Sequence, residues 1–343
     1  MQASSKNRIL TFDVINILAC LAVITLHHHT HYHHFETSLG WGFSLLTECC
    51  FFWAVPVFLM LSGANLLGYH EKYGLCVFLK RRLMRTVIPW FVWSILLLAW
   101  KIHTRQFVPE SSSLSYYFQL IITNKVDSTY WFFSTLFTCY LMIPVLTYLT
   151  PHRKVLWYFT GVIFVLSSVF PWLKTWFGFN QSIVKGIHEP LLIFILLGYL
   201  LNTTSFTKKQ RLCIYAGGLI GVLYRIVHTL VLSMQNGATA SSIGLYASWH
   251  SVLLASAVFV FLKHVNWDKL IPENLKKALP SIASCSFGIY LFHKVPLYHV
   301  RSAFGFAFED IVWKTVFIPV TYIISLLVVW LIRKIPVIGK YIC

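Results

Sequence analysis

A chain of 343 residues that is 57% hydrophobic and only 11% charged lies far outside the range of a water-soluble domain. Its mean hydropathy of +0.68 points the same way, to an all-α polytopic membrane protein. The formal charge of +17, from 28 Lys and Arg against 11 Asp and Glu, does not require a nucleic-acid partner, because basic residues of membrane proteins gather in cytoplasmic loops.

Ten apolar segments follow one another at about 10–29, 43–68, 86–102, 131–149, 155–173, 186–201, 212–232, 243–262, 281–299 and 311–332. Each is near the roughly 20 residues that a spanning helix needs. The first is long and lacks a small-residue cleavage pattern, so no cleavable signal peptide is expected. One set of loops, with its largest cluster at Lys80, Arg81, Arg82 and Arg85, holds 19 of the 28 basic residues. That asymmetry places both termini in the cytoplasm. The expected architecture is therefore about ten transmembrane helices in one bundle, with residues 1–343 as a single domain and no soluble domain appended. The eight cysteines are scattered, mostly within apolar runs and without a CxxC spacing, and read as small buried hydrophobes. The aromatic residues are assigned chiefly to interfacial belts and lipid-facing surface.

The stretch from Arg8 to His34 organises the rest. Asp13 stands near the start of its apolar run and His27 at the end, fourteen residues apart. At the helical rise that is about 21 Å, most of a hydrocarbon layer of about 30 Å. Ionisable residues within spans are costly and usually face a cavity. His27, Glu48, His188, Glu189, Arg225, His228, His250 and His293 fall at one level near the outer face and suggest a polar vestibule, with surface positions or local pairs as the plainer alternative for any one of them. Arg82 and Arg85, three apart, would share a helix face and suit phosphate groups, although a positive-inside anchor would look the same. The histidines at positions 27–34 could be metal ligands, but adjacent helical histidines point in different directions, and no metal is expected.

Several stretches together resemble the membrane acyltransferase type 3 family of bacterial integral-membrane O-acyltransferases. These are Arg8…Asp13…His27, VPVFLMLSG from Val55 to Gly63, Arg82 and Arg85 ahead of Pro89, YWFFSTLFTCYLMIP from Tyr130 to Pro144, and SFGIYLFH from Ser286 to His293. The family commonly has an Arg three residues after the Asp, where this chain has Asn16. It resembles the stand-alone form, without the extracytoplasmic SGNH-type domain of some relatives. The resemblance implies transfer of an acyl group, most often acetyl, from cytosolic acyl-CoA to a hydroxyl of a cell-surface polysaccharide or lipid-linked saccharide, in a bacterial plasma membrane. An alcohol attacks a thioester poorly without a base, and His27 has the appropriate chemistry, as general base or as a transiently acylated group. Asp13 would order the other end of the helix. Arg82, Arg85, Arg8 and Asn16 would meet the donor, with Arg8 or Arg225 supplying the charge absent at Asn16. Glu189, His293, Arg225, His250 and Glu48 would meet the acceptor. Tyr290, Ser62 and Asn65 are the candidate oxyanion donors. The expected partners are thus acyl-CoA, the glycan and membrane lipid, with no nucleic acid. A transporter or flippase for a sugar-containing lipid or small solute is the alternative, and a catalytically silent binding or sensory membrane protein a further one.

Overall fold

The computed structural model describes residues 2–178, 188–240, 246–336 and 339, without the side chains of residues 2–9 and 175. Among the described residues the regular structure is helical. The first helix, α1 (Gln2–His28), runs into a 3-10 turn at Thr30–His33. α2 (Leu39–Phe51) and α3 (Ala54–Leu66) follow, then α4 (Leu75–Arg82), a π-helical turn at Leu83–Val87 and α5 (Ile88–His103). The connection after α5 carries α6 (Leu114–Ile122), capped by the Ser113 hydroxyl, and leads to α7 (Trp131–Leu146). α8 (Arg153–Phe164), a second π turn at Val165–Val169, and α9 (Phe170–Phe177) come next. Then follow α10 (Leu192–Thr203), α11 (Lys208–Asn236), α12 (Trp249–His264), α13 (Trp267–Leu270), α14 (Glu273–Phe292), α15 (Lys294–Phe304), α16 (Ile311–Thr315) and α17 (Phe317–Lys334).

Seven helical stretches among the described residues are long and apolar enough to cross a membrane by length and composition, and α10 and α12 are shorter apolar helices. Parts of the sixth and eighth expected spans lie outside the described residues. The ninth is interrupted, because α14 ends at Phe292 and α15 begins at Lys294.

Proline explains the breaks. It has no amide hydrogen for the bond to the residue four back, and its ring crowds that carbonyl. Pro56 and Pro296 each stand at the third residue of their helices, just after the interruptions at 52–53 and at His293. Pro89 and Pro171 each stand at the second residue after a π turn. A widened turn before proline is a local way to relieve that crowding.

α1 lies at the centre, packed by α3, α14 and α17. Its Ile15, Ala19 and Ala22 are buried there. α3 and α10 meet more closely than side chains allow. A Cβ on Gly63 would lie 1.9 Å from the Ile195 carbonyl oxygen, and one on Gly198 would lie 2.0 Å from that of Met60. Reciprocal glycines thus let the two backbones touch, as small residues do between membrane helices.

Candidate active site

The histidine-rich end of α1 divides into a fastening set and an open set. His28 Nδ1 is 2.9 Å from the Trp313 carbonyl, to which it donates, and its Nε2 accepts from the Thr321 hydroxyl at 3.0 Å. His29 Nε2 donates to the Lys314 carbonyl at 3.0 Å. His31 takes the Lys314 ammonium on Nδ1 at 2.8 Å and meets Glu36 through Nε2 at 3.1 Å. These three rings tie α1 and its following turn to α16 and α17. His27, a step round the helix, instead lines a cavity.

That cavity has a volume of about 490 Å³. α1 contributes His27, α2 contributes Glu48, and α11 contributes Arg225. Glu48 and Arg225 are close enough to interact as opposite charges. The Arg225 guanidinium lies 3.4 Å above the Phe52 ring, Phe52 stacks on Tyr246 at 4.1 Å, and Tyr246 stacks on Trp131 at 5.3 Å. An aromatic wall therefore runs from a buried cation to an exposed indole, with polar groups from Ser128, Thr129 and Thr239 beside it.

The His27 ring stacks on His293 with centroids 5.0 Å apart. His293 is fully buried and is itself oriented by its Nδ1, which donates to the Tyr290 carbonyl at 2.7 Å. Lys294 Nζ lies 3.4 Å from His27 Nδ1. With the ammonium as donor, Nδ1 is the lone-pair nitrogen and Nε2 carries the proton. A second cavity of about 270 Å³ shares His27, Thr30 and His33 with the first and is lined further by Lys101, Asp127, Lys294 and Arg301. Lys101 pairs with Asp127 at 2.6 Å, and the other Asp127 oxygen accepts from the Thr129 amide and hydroxyl. Burial pushes this carboxyl up, but Lys294, Lys101 and these hydrogen bonds outweigh it and hold it at about 2. His33 is pushed down by burial, by His34 and by Lys294, which favours the neutral ring.

At the other end of α1, Asp13, Asn16, Ser62, Asn65 and Arg82 line a cavity of about 340 Å³. Asp13 Oδ2 and Arg82 Nε have no hydrogen-bond partner among the described residues. A central cavity of about 270 Å³ shares Asn16, Phe58, Ser62 and Tyr140 with this one, and shares Tyr290 with the His27 cavity. Polar spaces thus succeed one another along α1 from Arg82 to His27.

Arg82 and Arg85 do not share a face. Arg82 is half-buried on the cavity, its guanidinium 5.4 Å from the Tyr140 ring centre, whereas Arg85 is exposed and outside the lining. The π turn that begins at Leu83 accounts for this, since three residues of the wider helix fall further short of a full turn. The Arg8 side chain lies outside the described residues. Asn16 donates to the Ala283 carbonyl at 3.0 Å and so joins α1 to α14 while lining two cavities.

His250 and Glu189 lie outside these four linings. His250 packs against Tyr224 and Trp249, and Glu189 accepts from the Leu191 amide at 3.3 Å at the start of α10. Among the oxyanion candidates, Tyr290 spends its one donor on the Thr129 carbonyl at 2.8 Å, and Asn65 spends one of its two amide hydrogens on that of Leu61 at 2.9 Å. Lys294 was legible only as one more basic residue near the outer face. Its position directly after His293 and two residues before Pro296 was the available signal.

No curated protein and no solved structure matches the chain. The acyltransferase-domain model of the type 3 family matches residues 9–334, and a chain matched over nearly its whole length, with membrane-spanning helices around this set of cavities, belongs to that acyltransferase family.

Proposed function

We propose that the protein is a membrane O-acyltransferase that carries acetyl from cytosolic acetyl-CoA to a hydroxyl of a cell-surface polysaccharide or lipid-linked saccharide. The observation that supports this most is the succession of cavities along α1, with Arg82 at one end and His27 at the other. In this reading the Arg82 end and both termini face the cytosol of a bacterial cell, in agreement with the distribution of basic loops. The CoA phosphates rest at Arg82, and the pantetheine arm extends past Asn16 and Ser62. Asp13 holds the opposite charge beside Arg82 and orders that end of the helix.

The acceptor enters by the His27 cavity, where Glu48 and Arg225 offer hydrogen bonds to its hydroxyls. Its reacting hydroxyl displaces Lys294 from His27 Nδ1 and gives that nitrogen its proton as the oxygen bonds to the thioester carbonyl carbon. The displaced ammonium is next to the carbonyl oxygen on which negative charge develops. Collapse breaks the carbon–sulfur bond, and the CoA thiolate takes the proton from His27. The His293 ring keeps the imidazole plane in place throughout.

Transfer of radiolabelled acetyl from acetyl-CoA to cell-envelope glycan in proteoliposomes tests this. His27→Ala should lower transfer by about 100-fold or more while leaving CoA binding intact. A native chain that neither binds CoA nor releases it from acetyl-CoA would overturn the reading and favour the transporter.

A further inference from the structure

The second cavity beside His27 holds more positive charge than it neutralises. Its charged lining is Lys101, Lys294 and Arg301 against the single carboxylate Asp127. That carboxylate is already saturated, by Lys101 on one oxygen and by the Thr129 amide and hydroxyl on the other. Lys101 is further held by the Val126 carbonyl at 2.8 Å. Two cations remain. Among the described residues the Lys294 ammonium makes only the weak contact to His27 Nδ1 as a hydrogen bond, with Asp127 acting on it beyond salt-bridge distance. Arg301 lies with its guanidinium 3.8 Å from the Phe308 ring centre, and no carboxylate is within ion-pair reach of it among the described residues. Stacking on an aromatic face fixes the guanidinium plane and leaves its edge donors free.

A half-buried cation with no ion-pair partner is costly, and a cavity that keeps Arg301 in that state beside the reacting base is poised for an anion. The cavity is too small for a polysaccharide but large enough for one sugar-sized group, at about 270 Å³. It opens onto His27, Thr30 and His33, which also line the larger cavity. A bound anionic group would therefore stand one sugar away from the attacked hydroxyl.

We infer that this cavity is an anion subsite of the acceptor, and that the acceptor is an acidic saccharide whose carboxylate or phosphate is held by Arg301, leaving the Lys294 ammonium for the thioester oxygen. The inference rests on the acyltransferase reading for the acceptor's identity, but the subsite itself can be tested by binding alone. Lys101 and Asp127 act as its fixed wall, and His33 and His34 supply hydrogen-bonding groups at its edge. Neutral glycans bind in the larger cavity without this anchor and are poorer acceptors.

The test uses the purified full-length protein in detergent, with Trp100 in the cavity lining as one fluorescent reporter and calorimetry as a second measurement. The probes are a short galacturonate oligomer, glucose 1-phosphate and a neutral maltooligosaccharide. Binding of one or both acidic probes at least about tenfold tighter than the neutral one, lost with Arg301→Gln and weakened by salt, supports the subsite. A preference for the uronate identifies the carboxylate of an acidic sugar, and one for the phosphate identifies a phosphorylated saccharide. Equal affinity for all three probes, or an acidic preference that survives Arg301→Gln and the milder Arg301→Lys alike, overturns it. CoA release from acetyl-CoA is measured in parallel on the same samples. Its absence with acidic binding intact would fail the enzyme reading and leave the subsite standing, whereas CoA release without acidic preference would do the reverse.

Discussion

Replacing Arg82 by glutamine keeps a hydrogen-bonding side chain while removing the charge, and should weaken acyl-CoA binding far more than the same change at Arg85. Arg82 lines its cavity between the rings of Phe78 and Tyr140, at 5.8 and 5.4 Å, where solvent screens it less than on an open surface. A hydrogen bond from a charged group contributes about 1.5–3 kcal/mol. At about 1.4 kcal/mol per tenfold, loss of one such bond to a CoA phosphate is roughly a 10- to 150-fold loss of affinity. Arg85 is exposed beyond the π turn, and an exposed charge contributes about 0–1 kcal/mol, less than about fivefold. Calorimetric CoA binding and the KM for acetyl-CoA are the measurements. Equal effects at the two positions would refute the separation of the two arginines, and a change in kcat with donor KM untouched would refute Arg82 as a donor contact.

Two further predictions concern the frame around the site. Gly198→Ala places a methyl group 2.0 Å from the Met60 carbonyl oxygen and should cost about 1–3 kcal/mol by forcing α3 and α10 apart, lowering thermal stability in detergent. Gly161→Ala, inside α8 with nothing within 4 Å, should keep or raise it, by up to about 1 kcal/mol, and similar melting of the two variants would show that the close approach is unimportant. Asp127 has its carboxyl lowered from 3.8 to about 2 in the folded protein, so its ionised form stabilises the fold. That contribution is present above pH about 4 and is lost as pH falls toward 2. Asp127→Asn should therefore lower the melting temperature at neutral pH and flatten its decline between pH 4 and pH 2. An unchanged acid-side slope would discount the Lys101–Asp127–Lys294 arrangement.

Composition and spacing made the helical membrane architecture and the two-ended character of α1 legible. They also separated Asp13 from His27, because a rise per residue is a property of any helix. Spacing failed where the helix is not regular. An i, i+3 pair such as Arg82 and Arg85 shares a face only on a regular α-helical turn, and Pro89 is the residue in the sequence that marks the irregularity. The histidine run was legible as divergent but not as sorted, since only the positions of Trp313, Lys314 and Thr321 decide which rings fasten α1 and which is left for the cavity. Glu189 and His250 lay at a plausible depth, yet depth along a span does not fix the direction in which a side chain points.

Several residues that line the cavities stand beside interruptions in the helices. His27 is at the end of α1, Arg82 is against a π turn, Phe52 is at the gap before α3, and Lys294 follows the break after α14. An unbroken apolar helix satisfies its own backbone and presents side chains at a constant angle, which is suited to spanning lipid and not to converging on a point. At the α14–α15 break the regular helix is interrupted just before Pro296. The Tyr290 carbonyl then takes His293 Nδ1, and the Leu291 carbonyl takes the Tyr130 hydroxyl at 3.0 Å. These two bonds fix the ring behind His27 and anchor α7, whose first residue Trp131 lines the same cavity. The interruption therefore acts on the site through carbonyls that a continuous helix would have kept for itself, and this links the order of the apolar runs to the placement of the base.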